Sequence, residues 1–206
     1  MFFSNSLENQ LKRCNETIHN QPKNPTAYIR RGMVNFQLAK IDQSIQDFDM
    51  AEQLDADIKP YLWQRGLSYY YAERFAEGAQ QFEIDLTVNA QDVEETVWRY
   101  LCIACSLGVE EARNSLLTVK NDPRRVMQRV YDLYAGDCTP DDVLTIGQSE
   151  GKSGKFYSHL YLGLYYEAEN NVDLAQEYLV KAVDNYKIDD YMWYLAQVHK
   201  KLRGWI

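Results

Sequence analysis

The dipeptide Arg31-Gly32 returns 34 residues later as Arg65-Gly66, and Phe48 returns at the same interval as Phe82. Ser44 and Gly78, both small, keep that distance, as do Leu54 and Val88. One more step in the same phase lands on Arg99, Ala112 and Leu116. A recurrence of this length marks a supersecondary unit that cannot cover its own apolar face and must stack on a neighbour. The spacing inside each unit is helical. Between Pro25 and Ala39, Tyr28, Ile29, Met33 and Phe36 fall on one face; Ile41, Ile45, Phe48, Ala51 and Leu54 make a second stripe after a turn at Lys40. The five prolines (Pro22, Pro25, Pro60, Pro123, Pro140) all stand at candidate breaks, where a missing N–H costs no helical hydrogen bond. Gly66 and Gly163 fall inside helices instead. Such a glycine costs about 1 kcal/mol relative to alanine, so its recurrence predicts close helix–helix approach.

Composition narrows the function. The chain has 206 residues, 46% apolar and 25% charged, which is globular composition, and only 10 Gly and 5 Pro, fewer turn residues than a sheet protein spends. A net charge of −8 argues against nucleic acid, whose phosphates need a surplus of cations. The four cysteines, Cys14, Cys102, Cys105 and Cys138, form neither a disulfide framework nor a zinc module, which favours a reduced compartment. No apolar run approaches the ~18 residues of a membrane span. No signal peptide follows Met1, so the chain is expected in a cytoplasmic or organellar soluble compartment.

The stretch Trp63-Gln64-Arg65-Gly66-Leu67-Ser68-Tyr69-Tyr70, followed by Gly78, Phe82 and Val88, resembles a tetratricopeptide repeat. So does Tyr161-Leu162-Gly163-Leu164-Tyr165-Tyr166 with Ala175, Leu179 and Ala182 at the family's small–bulky–small positions. The resemblance implies an all-α, right-handed solenoid of helical hairpins, with Gly32, Gly66, Phe48, Phe82, Ala112, Gly163, Ala175 and Ala182 as repeat-packing residues. The chain is accordingly read as one domain. Residues 4–20 form a leading helix with Asn5 and Glu8 as a capping box; 25–58, 59–92 and 93–122 are repeats; 123–150 is a degenerate hairpin; 155–188 is a repeat; 189–203 is a capping helix. Tyr100 departs from the pattern where a packing glycine or alanine belongs. Within the degenerate hairpin, helices are expected at Arg124–Ala135 and Asp141–Gln148.

The order Trp98-Arg99-Tyr100-Leu101, Leu133-Tyr134-Ala135-Gly136, Tyr161-Leu162-Gly163 is similar to bacterial outer-membrane tetratricopeptide lipoproteins, adaptors that dock cell-wall hydrolases and a periplasmic protease. Their lipid site is not matched: Leu11-Lys12-Arg13-Cys14 lacks small residues before the cysteine.

In tetratricopeptide arrays the fifth, ninth, twelfth and thirteenth positions of each first helix face a ligand. On this chain they are Ile29, Met33, Phe36 and Gln37; Trp63, Leu67, Tyr70 and Tyr71; Val97, Leu101, Ala104 and Cys105. The family's carboxylate clamp needs Lys and Asn at the first two, and Ile29, Met33, Trp63 and Leu67 do not supply them. The expected groove is apolar and aromatic (Ile29, Met33, Phe36, Trp63, Leu67, Tyr70, Tyr71), suited to a peptide segment or folded partner. The alternative is that terminal helices fill it and the aromatics are core. Arg31, Arg65 and Arg99 form a ladder expected to pair internally with Asp47, Asp49, Glu52 and Glu83.

The resulting reading is a non-enzymatic scaffold with no cofactor or metal. A second reading is a homodimer through Met1-Phe2-Phe3 and the stripe Leu7, Leu11, Cys14 and Ile18, since the resembling lipoproteins are dimers. A third is a serine esterase at Ser149, because Gly147-Gln148-Ser149-Glu150-Gly151 has the G-x-S-x-G form. That motif works on a strand-to-helix elbow, so these residues and the basic stretch Gly151-Lys152-Ser153-Gly154-Lys155 are read instead as a loop and flexible hinge. Cys102 and Cys105 have C-x-x-C spacing but fall mid-helix, which removes the N-terminal dipole that lowers a redox thiol's pKa.

Overall fold

The computed structural model describes residues 2–120 and 122–205, and the side chains of residues 6–120 and 122–205. Every regular element among them is helical. The chain forms two compact units, Met1–Val88 and Asn89–Ile206.

The first unit holds α1 (Phe2–Asn20), α2 (Pro25–Gln37), α3 (Ile41–Leu54), a 3-10 segment (Ala56–Tyr61), α4 (Trp63–Tyr71) and α5 (Phe75–Asp85). Asn24 caps α2, its side chain accepting from Thr26 N at 3.1 Å, and Pro25 takes the first helical position, as its fixed φ favours. α2–α3 and α4–α5 are antiparallel hairpins built alike. Gly32 in α2 lies against the Phe48 ring, where an added Cβ would come within 3.1 Å. Gly66 in α4 lies against the Phe82 ring, where it would come within 2.7 Å. The turns match as well: Ala39 (φ 61°) and Glu73 (φ 59°) are both left-handed, and Lys40 N→Asn35 O and Arg74 N→Tyr69 O close them at 2.8 and 2.9 Å. The second repeat's first helix begins only at Trp63, because the 3-10 segment containing Pro60 occupies the preceding residues.

The arginine ladder explains part of this regularity. Arg31 pairs with Asp47 (Nη2–Oδ1 2.6 Å), and Arg65 donates to Gln81 from Nε at 2.9 Å, both sixteen residues on. Arg65 also meets Asp49 and Glu52 at 3.1 and 2.5 Å, as the charge pattern predicts. Each guanidinium thereby ties the first helix of a hairpin to the second.

α1 runs along α2 with Leu7 buried; Arg31 Nη1 donates to Asn15 at 3.0 Å, and Lys40 reaches Glu8 at 3.4 Å. Its helical backbone already includes Asn5, so the expected capping box does not begin it. Glu8 faces Lys40 instead. Met1, and the side chains of Phe2 and Phe3 invoked for pairing two copies, lie outside the described residues.

The second unit holds α6 (Val93–Leu107), α7 (Val109–Asn114), α8 (Arg125–Ala135), α9 (Pro140–Ser149), α10 (Gly151–Ala168), α11 (Val172–Asn185) and α12 (Tyr191–Leu202). α10–α11 repeats the first unit's hairpin. Gly163 faces Leu179, where a Cβ would stand 2.5 Å from Cγ, and Asn170 (φ 59°) makes the left-handed turn with Asn171 N→Tyr166 O at 2.8 Å. α6–α7 does not. Tyr100 fills the glycine position as a buried ring, the turn uses Gly108 (φ 96°), and α7 stops after six residues, before Leu116. Arg99, next in the ladder, donates to the Ser115 carbonyl at 2.8 Å. Tyr134 of α8 stands at the centre of this unit, ring-edge to Tyr100 (5.0 Å) and Tyr165 (5.5 Å), with its hydroxyl donating to Tyr161 O at 2.9 Å.

The expected loop at residues 147–151 and hinge at 151–155 are helical. α9 runs through Ser149, Glu150 alone intervenes, and α10 begins at Gly151. Packing, not flexibility, accounts for the glycines here. A Cβ on Gly147 would lie 2.4 Å from Ser158 Oγ, and one on Gly154 would lie 2.6 Å from Gly147 O, so the two helices cross at backbone contact.

Candidate functional site

The expected groove residues divide by burial. Phe36, Leu67 and Tyr70 are interior, at 0%, 0% and 3% exposure. Ile29, Met33, Trp63 and Tyr71 are half-buried and keep accessible surface on α2 and α4. The two helices meet there: Gln64 Nε2 approaches Met33 Sδ at 3.9 Å, and the Phe36 and Tyr71 rings pack edge-on at 5.6 Å. The buried rings of Phe36 and Tyr70 thus pack against half-buried Tyr71, and such packing limits the entropy lost when a ligand covers it. The corresponding α6 residues Val97 and Leu101 are buried, Ala104 is half-buried, and Cys105 is exposed.

Met33 also lines a cleft of about 370 Å³ between α1 and α2. Cys14, Ala27, Met33 and Val34 supply its apolar lining, and Gln10, Arg13, Thr17, Arg30 and Gln37 surround them. Burial raises the Cys14 thiol pKa above its ordinary value, against the pull of Arg31 and Arg30. This environment disfavours the thiolate, the form in which a cysteine acts as a nucleophile.

The chemical motifs read from sequence take ordinary structural roles. Ser149 is exposed at the end of α9, its hydroxyl donating to Ile146 O at 2.7 Å, with helix where the esterase motif needs a strand. Cys102 is buried in mid-α6 and its thiol is pushed far up by burial, while Cys105 is exposed. No group of three or more His, Cys, Asp or Glu among the described residues could hold a metal ion, and no helix there is long and apolar enough to cross a membrane.

Two polar clusters in the second unit carried no sequence signal. Arg124 donates to Glu94 at 2.6 Å and to Asp122 at 2.8 Å, and Tyr161 OH donates to the other Glu94 oxygen at 3.0 Å. Burial raises Glu94's carboxyl, with the Arg124 charge opposing it. These residues lie up to 67 positions apart, too far for any local pattern to link them. In the other cluster, Glu167 at the end of α10 receives Arg203 Nε at 2.5 Å and faces buried His199 at 3.3 Å. Burial would raise its carboxyl, but His199 and Arg203 outweigh that and hold it at about 2. A carboxyl lowered on folding contributes stability above its unfolded value of 4.5 and loses it as pH falls from there toward 2. Glu167→Gln is therefore expected to destabilise the chain by about 2 kcal/mol at pH 7. The wild-type advantage should shrink in urea titrations below pH 4.5 and be gone only near pH 2; a difference independent of pH would show that the carboxylate charge is not involved.

A comparison with models of known protein families found no match, and a comparison with curated protein sequences found none either.

Proposed function

We propose that this chain is a non-enzymatic protein-binding scaffold: a right-handed solenoid of tetratricopeptide-type hairpins that holds a peptide segment or partner protein on the first-helix faces of its repeats. The observation that carries the reading is the half-buried row Ile29, Met33, Trp63 and Tyr71, left accessible on α2 and α4 after Phe36, Leu67 and Tyr70 have filled the core. Large side chains anchored by a packed interior are the usual centres of binding energy at protein interfaces. The hairpins support it too, because the glycine-to-ring contacts and left-handed turns recur at the 34-residue interval in α2–α3 and α4–α5.

The test is Trp63→Ala in a quantitative pull-down beside the wild type. Retention of a partner is expected to weaken about tenfold or more, the effect of removing an interface anchor, with the helical circular dichroism unchanged. Undiminished retention by a folded Trp63→Ala chain would remove this face from the interaction. Loss of helical signal together with binding would assign Trp63 to the core.

A further inference from the structure

We propose that the α1–α2 cleft binds an acidic, apolar peptide segment, seating an apolar side chain against Cys14, Ala27, Met33 and Val34 and pairing its flanking carboxylates with Arg13 and Arg30. The inference rests on the scaffold reading and gives its partner a chemistry. At about 370 Å³ the cleft falls in the range of ligand sites, ~300–1,000 Å³.

Charge complementarity selects the occupant. Arg13 projects from α1 and Arg30 from α2, and both are exposed. Neither guanidinium has an ion-pair or hydrogen-bond partner among the described residues, in contrast to Arg31, Arg65 and Arg124. No carboxylate lines this cleft, whereas Asp47 lines a second cavity of this unit and Asp122 and Asp132 line one in the other unit. Residues 2–37 carry five Lys and Arg against only Glu8 and Glu16, a local +3 on a chain of −8. The acidic surplus therefore lies elsewhere in the chain.

At physiological salt the Debye length is about 8 Å, so a ligand in the cleft responds most to the two arginines that line it. A guanidinium offers forked donors that match a carboxylate, and an apolar floor between two of them suits an apolar residue flanked by Glu or Asp. An anionic membrane fits less well, because a flat surface would also meet the chain's net negative charge.

The probe is a short fluorescein-labelled peptide with a Leu-Phe pair flanked by glutamates, compared with the same peptide carrying glutamines, using fluorescence anisotropy on the full chain. Binding of the glutamate peptide is expected, about tenfold tighter than the glutamine one and weakening as salt rises. Arg13→Glu with Arg30→Glu should remove that preference, and since both side chains are exposed, the helical circular dichroism should not change. Equal binding of the two peptides, abolished by Trp63→Ala, would overturn this inference and leave the scaffold reading standing. No binding of either peptide, or binding only to vesicles of anionic phospholipid, would overturn it too. So would a concentration-dependent dimer in light scattering that excludes the peptide.

Discussion

Gly163→Ala is expected to lower the stability of the chain by about 3 kcal/mol, although an isolated helix would gain about 1 kcal/mol from the same change. The new methyl would stand 2.5 Å from Leu179 Cγ and 3.1 Å from Leu179 N, so α10 and α11 would have to separate along their packed length. Gly66→Ala meets the Phe82 ring at 2.7 Å and should cost somewhat less. Gly32→Ala meets Phe48 at 3.1 Å, and there the helical gain nearly offsets the crowding. The decisive measurement is a double-mutant cycle. In a Leu179→Ala background, itself destabilised by 2–5 kcal/mol, the further change Gly163→Ala should be nearly neutral, giving a coupling of about 2 kcal/mol or more. If Gly163→Ala instead raises the urea midpoint of the wild type, α10 and α11 do not approach as closely as described.

These contacts also show how far the sequence reaches. The 34-residue interval made Gly32, Gly66, Phe48 and Phe82 legible because each repeat sets the same small residue against the same ring. Gly163, Ala175 and Ala182 lie outside that interval and were legible from the tetratricopeptide-like run at residues 161–166, and all three are buried. The helices of residues 123–150 could be read from their apolar spacing and from Pro140, which Thr139 precedes as the head of a capping box. Gly147 and Gly154 were misread because glycine marks both a loop and a backbone-contact helix crossing, and local sequence does not distinguish them.

The candidate site was half legible. Family positions pointed to α2 and α4, but a position number does not say whether a side chain ends in the core or at its edge. Phe36 and Tyr70 belong to the core, while Met33 and Trp63 stand at its edge. Arg13 and Arg30 gave no signal at all. Their significance comes from the carboxylates that fail to reach them, which only three-dimensional structure reveals.

Asp85→Ala is expected to stabilise the chain, by up to about 4 kcal/mol at pH 8. Ala51 and Ala182 hold the same place in their hairpins, nineteen residues beyond Gly32 and Gly163 as Asp85 is beyond Gly66. The second repeat thus puts a carboxyl where the fold elsewhere uses a methyl. Asp85 is 1% exposed; Gln81 Nε2 donates to its Oδ1 at 2.8 Å, and Oδ2 has no hydrogen-bond partner among the described residues. Burial raises its carboxyl to about 7, against the Gln81 hydrogen bond and the charge of Arg65. Because the folded chain holds this proton more tightly than the unfolded chain, whose value is 3.8, stability falls as pH rises between those values. The advantage of Asp85→Ala should accordingly be small at pH 4, grow through pH 5 to 7 and level off above. Asp85→Asn, which keeps an oxygen for Gln81, should follow the same curve. A stability difference flat across that range, or a loss at pH 8, would mean that water or a neighbouring cation satisfies the carboxylate, and the buried charge would then not be the weak point of the first unit.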